Sequence, residues 1–378
     1  MKKIRNGILH FIAHPVAAER FVAPLVDALN AKGMKAELCI EFVPGYQKFL
    51  ESIKSPYFFA NSNLSGGLAR VLKSLFVLLY LLHTEKPYAV QAHLTRGAFL
   101  PLFSAWLTRI PVRIYHNHGV PYLGYSGPLF FGLKILEALN CFFATHIITV
   151  SSGMVPALMA VCVSQKPILL FGPGSACGLS LDQYLFPDLE LKYQHRSRFG
   201  IDKHDLVFLY VGRPEIRKGF DLIAKAFLSA FESRPDVYLL VAGPSEADVE
   251  KYSHHSRRNI KAIGHIYDLR SIYLLSDVVA LPSLHEGFGY SLLEGAALGC
   301  AMLASRIPGP SVIVKDGVNG LLVAPGDQDE LIDGMRTLDR DRESLLIMQK
   351  NAYERSQDFQ RDKIVAPYLI FAEKIFIC

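Results

Sequence analysis

The sequence predicts an α/β fold of two doubly wound, Rossmann-like domains facing a cleft. Three observations predict it. The 378 residues exceed one ordinary core and suit two domains of roughly 150–200 residues. Short β-branched or apolar runs alternate with helical patterns along the chain, the mark of βαβ units on a parallel sheet. The alternation restarts after "FGPGSACGLSLDQYLFPD" (171–188), which is rich in Gly, Pro and Ser and has no period of its own.

In the first half, the runs predict strands at 7–13, 36–43, 88–93, 112–116, 147–151 and 167–171. Helical patterns fall between them at 16–32, 66–83, 97–108, 127–144 and 152–160. In the second half, "DLVFLYVG" (205–212) is a buried-strand run. The segment after it places Phe220, Ile223, Phe227 and Phe231 on one helical face. Strands follow at 237–243, 259–264, 277–282 and 300–304, with helices near 268–275 and at 292–298, 327–338 and 341–356. "KDGVNG" (315–320) reads as a turn through Asp316-Gly317. The domains expected are 1–175 and 204–360, joined by a linker at 176–203.

Composition narrows the function. Apolar residues make up 51% and charged residues 20%, and the mean hydropathy is +0.23. Such a chain is either well packed or touches a membrane. The net charge of +5 has no clustered Lys/Arg run behind it, which argues against nucleic acid as a partner and fits anionic ligands or an anionic membrane surface. The six cysteines form no CxxC pair and read as buried thiols of a reducing cytoplasm. The N-terminus, "MKKIRNGILHFIAHP", reads as a first strand and not a signal peptide. "LFVLLYLLH" (75–83) is short of the roughly 20 residues of a spanning helix. With Arg70 and Lys73 upstream, it reads as either a buried helix or one lying at a membrane surface.

Four constellations stand at predicted strand ends, where ligands of such sheets bind. In "YVGRPEIRKGF" (210–220), Gly212 ends a strand, and Arg213 and Lys218 lie on the following loop. Two loop cations suit a pyrophosphate: a guanidinium grips it bidentately and an ammonium neutralises it. In "LHEGFGYSLLEGAALG" (284–299), Gly287 and Gly289 let backbone amides approach a ligand, and Ser291 reads as the N-cap of a helix. Glu286 would then lie on the loop and Glu294 in the first helical turn, where each could accept hydrogen bonds from sugar or ribose hydroxyls. In "YHNHGVPYLG" (115–124), His118 precedes Gly119 and could face the cleft, whereas His116 belongs to the strand. In "VAGPSE" and "AIGHIYD", Gly243 and Gly264 end strands beside the same site, followed by His265 and Ile266. The pairs Asp327–Asp329 and Asp339–Asp341 read as a helix cap region and a solvated turn, not as a metal site.

In this order and spacing, the motifs resemble those of retaining glycosyltransferases of the GT-B fold, the group 1 or GT4 family. The likeness is strongest over 205–326. Glu286 and Glu294 match the family's E-x7-E pair, "VGRPEIRKG" its donor-phosphate loop, and "VNGLLVAPGD" (318–327) the stretch after the last strand pair. The resemblance implies that Glu286 contacts the donor sugar, Glu294 the ribose, and Arg213 and Lys218 the diphosphate. It places His118 near the donor sugar and acceptor, with Glu286, Arg213, Lys218 and His118 as the catalytic set. The donor-binding set adds Gly212, Gly243, Gly264, His265, Ile266, Gly287, Phe288, Gly289, Tyr290 and Ser291. It also implies no metal or other cofactor, and a last helix at 361–378 that crosses back onto the N-terminal domain.

"HNHGVPY", "ITVSSGM" and "GSACGLSLDQY" look most like bacterial enzymes of lipid-linked surface polysaccharide synthesis. The partners implied are a nucleotide diphosphate sugar, of the UDP type, and a saccharide or lipid-linked saccharide acceptor. The place implied is the cytoplasm, peripheral to the inner membrane. The chain departs from the family at Val16 and Ala17, where glycines are common, and at Cys177 and Ser180, where Asn and Asp are usual. Two other classes share such a fold: a non-catalytic partner subunit and a sugar-nucleotide epimerase.

Overall fold

The computed structural model describes residues 7–41, 43, 45–46, 50–60, 67–162, 166–184, 189–253, 259–266 and 268–377. They form two units, residues 1–178 with 361–378 and residues 179–360. Expectations that fell on residues 1–6, 185–188, Tyr267 and Cys378 lie outside the described residues.

The first unit is built on a seven-stranded sheet, all of whose described pairings are parallel, in the order β3-β2-β1-β4-β5-β6-β7. The strands are β1 Ile8–Ile12, β2 Ala36–Ile40, β3 Tyr57–Phe59, β4 Ala89–His93, β5 Val112–Asn117, β6 His146–Thr149 and β7 Ile168–Leu169. Side chains alternate across a strand, and β1 shows the consequence. Leu9 and Phe11 join one apolar core, with Val90, Leu78 and Leu100. Ile8 and Ile12 join the other, with Val26, Val365 and Tyr368. A sheet covered on both faces needs near-continuous apolar strands, and β1 and β4 are buried throughout. Helix Arg361–Ile377 packs in this unit: Phe371 meets His146 and Phe171, and the Tyr368 hydroxyl donates to Gln91 at 2.9 Å.

The second unit carries a six-stranded parallel sheet, β10-β9-β8-β11-β12-β13. Its strands are β8 Leu206–Val211, β9 Val237–Ala242, β10 Ile260–Gly264, β11 Val278–Leu281, β12 Ala301–Ser305 and β13 Gly320–Val323. The face predicted for helix Phe220–Phe231 is the one that is buried, with Phe208 and Phe231 stacked at 5.8 Å. Behind the sheet, Asp277 accepts from buried Lys192 (2.7 Å), buried Arg196 (2.6 Å) and the Val207 amide (2.9 Å). Burial pushes its pKa up, but Lys192 and Arg196 outweigh this and hold it below the usual carboxylate value.

The structure corrects several sequence expectations. The segment 176–203 is not a plain linker: the units part after Gly178, and helix Leu189–Arg198 belongs to the second unit through Lys192 and Arg196. The helix expected at 16–32 is broken into Pro15–Ala17, a π-helical Ala18–Val22 and an α-helical Ala23–Ala31. Edge strand β3 and strand β13 arise from pairing with β2 and β12, a tertiary effect that runs of three and four residues cannot announce.

Candidate functional site

In a parallel sheet all carboxyl ends lie on one edge, and strand order reverses at a switch point. In the second unit β8 pairs with β9 on one side and β11 on the other, so the switch point lies between β8 and β11. The loops after these two strands, 212–219 and 282–289, carry Lys218 and Glu286.

Backbone contacts lace the two loops together. The Leu284 amide donates across to the Arg217 carbonyl at 2.9 Å, and within the first loop the Gly219 amide donates to the Ile216 carbonyl at 2.9 Å. Gly219 has φ +75°, and a Cβ there would stand 2.1 Å from the Pro282 carbonyl oxygen, so only glycine lets the loops meet. Lys218 Nζ then reaches Glu286 Oε2 at 2.5 Å, each side chain about a fifth exposed (20% and 19%). On the far side of β8, the Gly212 amide donates to Ala242 O at 3.0 Å and the Gly243 amide to Gly264 O at 2.8 Å. Gly243, at φ +112°, would put a Cβ 2.1 Å from the Gly212 carbonyl oxygen. Strands β8, β9 and β10 therefore end in three glycines in close succession, with exposed His265 and half-buried Ile266 next in sequence.

The remaining residues of the expected donor set are placed less uniformly. Arg213 is on the Lys218 loop but 67% exposed, and its guanidinium pairs with Glu215 Oε1 at 2.7 Å. The cap of helix Tyr290–Ala297 is Gly289, at φ +99°, and not Ser291, whose position is inside the helix. Glu294 consequently lies in the second turn, not the first, and accepts from the Tyr273 hydroxyl at 2.9 Å. Gly287 is buried but outside the left-handed region that Gly289 occupies. Phe288 is buried edge-on to Phe359 and beside Tyr290, with ring centroids 5.5 and 5.1 Å away, and anchors the loop. Gly309 packs under it: a Cβ there would meet Glu286 O at 2.5 Å. Of the Asp-x-Asp pairs, Asp327 and Asp341 each cap a helix, and Asp339 is held by Arg234 and Arg342.

In the first unit, the strand ends present histidines. His116 is in β5, and His118 follows on a turn that Asn117 fixes, donating to Gly119 O (2.8 Å) and accepting from Gly119 N (3.0 Å). Sequence reasoning singled out His118 but missed its partners, His93 on β4 and His10 on β1. His93 Nδ1 lies 3.0 Å from His118 Nε2, and His93 Nε2 3.2 Å from His10 Nδ1. Burial disfavours their charged forms and lowers the pKa of His118 to about 4 and of His10 to about 3. His93 and His116 fall well below the usual value, through burial first and then through neighbouring histidines. All four rings are neutral at pH 7. Also missed was Glu137, a buried carboxyl that accepts from Tyr115 (2.6 Å) and Asn117 (2.7 Å) and whose pKa burial raises to about 7. No spacing rule pairs residues twenty or more positions apart; only the order of strands does.

Comparison with known proteins defines the class. The fold aligns with that of Anabaena HepE, solved with UDP and glucose, at a TM-score of 0.79 and 18% identity over 98% of this chain and 100% of that one. Residues 192–355 match the family model for glycosyl transferases group 1. A capsular polysaccharide biosynthesis glycosyltransferase of Staphylococcus aureus, CapM, is 26% identical over 71% of this chain and 72% of its own. An Escherichia coli UDP-Gal:α-D-GlcNAc-diphosphoundecaprenol α-1,3-galactosyltransferase is 27% identical over 75% of this chain and 74% of its own. Two parallel-sheet units with this likeness make the chain a glycosyltransferase of the GT-B fold. Within that class, residues 192–355 match the group 1 glycosyl transferases, and the chain is a transferase enzyme.

Proposed function

We propose that the enzyme transfers a sugar from a UDP-sugar to a hydroxyl of a lipid-linked saccharide, with retention at the anomeric carbon, in surface-polysaccharide synthesis at the cytoplasmic face of a membrane. The observation that carries the donor half is the Lys218–Glu286 pair, held by two laced loops at the switch point of the second unit. Without donor, Lys218 neutralises Glu286. With donor, the ammonium serves the diphosphate and the carboxylate a sugar hydroxyl.

As the bond from the anomeric carbon to the phosphate oxygen breaks, negative charge grows on the diphosphate. Lys218, Arg213 and the amides at the start of helix Tyr290–Ala297 would stabilise it, in positions set before the reaction begins. The cations do what a metal does elsewhere, so this transfer is proposed to run without one. The acceptor hydroxyl attacks from the same face and gives its proton to the leaving phosphate. Glu286 is therefore a sugar ligand and not a nucleophile. Glu294, His118 and the glycine strand ends take their ribose, acceptor-side and base roles from the family resemblance.

Two things support the acceptor half. The galactosyltransferase relative acts on a diphosphoundecaprenol acceptor by its name. Helix Gly67–Glu85 is 19 residues long with a mean hydropathy of 1.4, and among the described residues it is the one helix long and apolar enough to cross a membrane. It buries Ser74, Leu78 and Leu82 against the first unit, which fits a helix lying at a surface. Leu68, Leu72, Phe76 and Tyr80, four apart, form an exposed apolar stripe on it.

The test is a panel of sugar nucleotides incubated with undecaprenyl-diphosphate saccharides. One UDP-sugar should raise the melting temperature and yield a product that NMR shows to keep the donor's anomeric configuration. An inverted product overturns retention. Free, altered sugar formed without acceptor identifies an epimerase, and no turnover with any donor identifies a non-catalytic partner.

A further inference from the structure

We propose that His93, His116 and His118 bind one divalent transition-metal ion of the zinc class. One ligating nitrogen from each of the three lies within 4.8 Å of the others. A tetrahedral ion with bonds of about 2.0–2.1 Å needs its nitrogens roughly 3.3 Å apart. The His93 Nδ1–His118 Nε2 pair is already at 3.0 Å, so small ring movements close the set. No carboxylate belongs to the group, and imidazoles alone select zinc, cobalt, nickel or copper over magnesium or calcium.

Three further features point to an ion. First, His116 Nε2 is buried and has no hydrogen-bond partner, although a buried polar atom without one is costly. Its Nδ1 is held by the Gln91 side-chain amide at 3.1 Å, which leaves Nε2 as the open nitrogen. When Nδ1 carries the ring proton, the Gln91 amide accepts it by turning its oxygen inward, and its nitrogen then donates to Tyr368. Second, His93 Nε2 faces His10 Nδ1 at 3.2 Å. This is the outer hydrogen bond that orients a metal-bound imidazole. Third, His93 and His118 share one proton between nitrogens that both face the site. The ion takes the bridging place of that proton, which moves to the other nitrogen of its own ring, so each imidazole stays neutral and nothing is oxidised or reduced. Three protein ligands leave a fourth position open to water.

The consequence for activity rests on the assignment of His118 above: an ion on His118 withdraws it from the acceptor side, so metal inhibits transfer. The binding test does not depend on that assignment. Tag-free protein, stripped with chelator, is titrated with Co²⁺ and then back-titrated with Zn²⁺. One Co²⁺ per chain with the visible bands of a tetrahedral site is expected, displaced by one Zn²⁺. The five described cysteines are buried and do not compete. His118→Ala, at the rim and outside the strands, should stay folded by circular dichroism and lose affinity more than about a hundredfold. Parent protein without stoichiometric Co²⁺ bands, or a folded His118→Ala variant that binds like the parent, overturns the proposal. If Co²⁺ binds but transfer rates are unchanged by Zn²⁺, the site stands and the role given to His118 fails.

Discussion

Replacing Lys218 by alanine separates catalysis from folding. Its Nζ lies 2.5 Å from Glu286 Oε2, and both side chains are about a fifth exposed (20% and 19%). A pair that wet contributes about 0–1 kcal/mol to stability. The backbone of the turn is kept by its own bonds, from Lys218 N to Glu215 O and from Gly219 N to Ile216 O, both 2.9 Å, and needs no lysine side chain. The cation's effect on the reaction is larger. A preorganised group that meets charge developing on the leaving group contributes about 2.7–4 kcal/mol, which corresponds to roughly 10²–10³ in kcat. Lys218→Ala should therefore melt within a few degrees of the parent and lose that factor in kcat at saturating donor, measured by release of the nucleoside diphosphate. If Lys218 merely tethered donor in its ground state, KM would rise and kcat would hold. A loss of kcat below tenfold in a folded variant refutes the assignment of Lys218 to the leaving group. So does a stability loss large enough to explain the rate.

Four other outcomes follow from the packing. Asp277→Asn leaves buried Lys192 and Arg196 without their counter-charge and should cost roughly 3–5 kcal/mol in urea denaturation; a cost below 1 kcal/mol would show that the carboxylate does not hold them. Gly243→Ala must adopt φ +112° and force its Cβ away from the Gly212 carbonyl oxygen, so it should lose at least about 1 kcal/mol and weaken nucleotide binding by calorimetry. Glu137 keeps its proton to about pH 7 in the fold but loses it near the ordinary value of 4.5 when unfolded. Between these values unfolding releases a proton, so this residue's contribution to stability falls as pH rises, by about 1.4 kcal/mol per unit. Denaturation of Glu137→Gln against the parent at pH 5 and 7 should show the variant gaining relative stability at the higher pH. Leu72→Glu with Phe76→Glu, both exposed, should leave stability within about 0.5 kcal/mol per site and abolish co-sedimentation with anionic vesicles; unchanged sedimentation would refute surface docking by this helix.

The doubly wound plan was legible because strands buried on both faces must be written as apolar runs. "DLVFLYVG" and "VYLLVAG" became β8 and β9. Lys218 and Glu286, 68 positions apart, could be named from their loops, since any residue just after a parallel strand must lie at the carboxyl edge. What the sequence could not supply was side-chain choice within that edge. Arg213 turns to Glu215, two positions on, and Glu294 accepts from Tyr273 on a neighbouring helix, partners that strand ends alone do not name. Ser291 looked like a cap by residue type. The chain instead uses Gly289 in a left-handed conformation, beside a loop pressed against Gly309, and the helix starts two residues earlier than expected.

The histidine group shows the same limit more sharply. His10, His93 and His116 were hidden inside strands that read as plain core, and only the order β1-β4-β5 makes them neighbours. The carboxyl edge that the strand pattern announces is thus where function was sought in both units. Register then decides what stands there. β4 pairs His93 with His116, so their rings lie side by side, and Asn117 folds the next turn so that His118 meets them. A register shift of one residue would send His93 or His116 to the opposite face and dissolve the cluster. The apolar residues that fix the β4–β5 register are therefore as necessary to the histidine group as the imidazoles themselves.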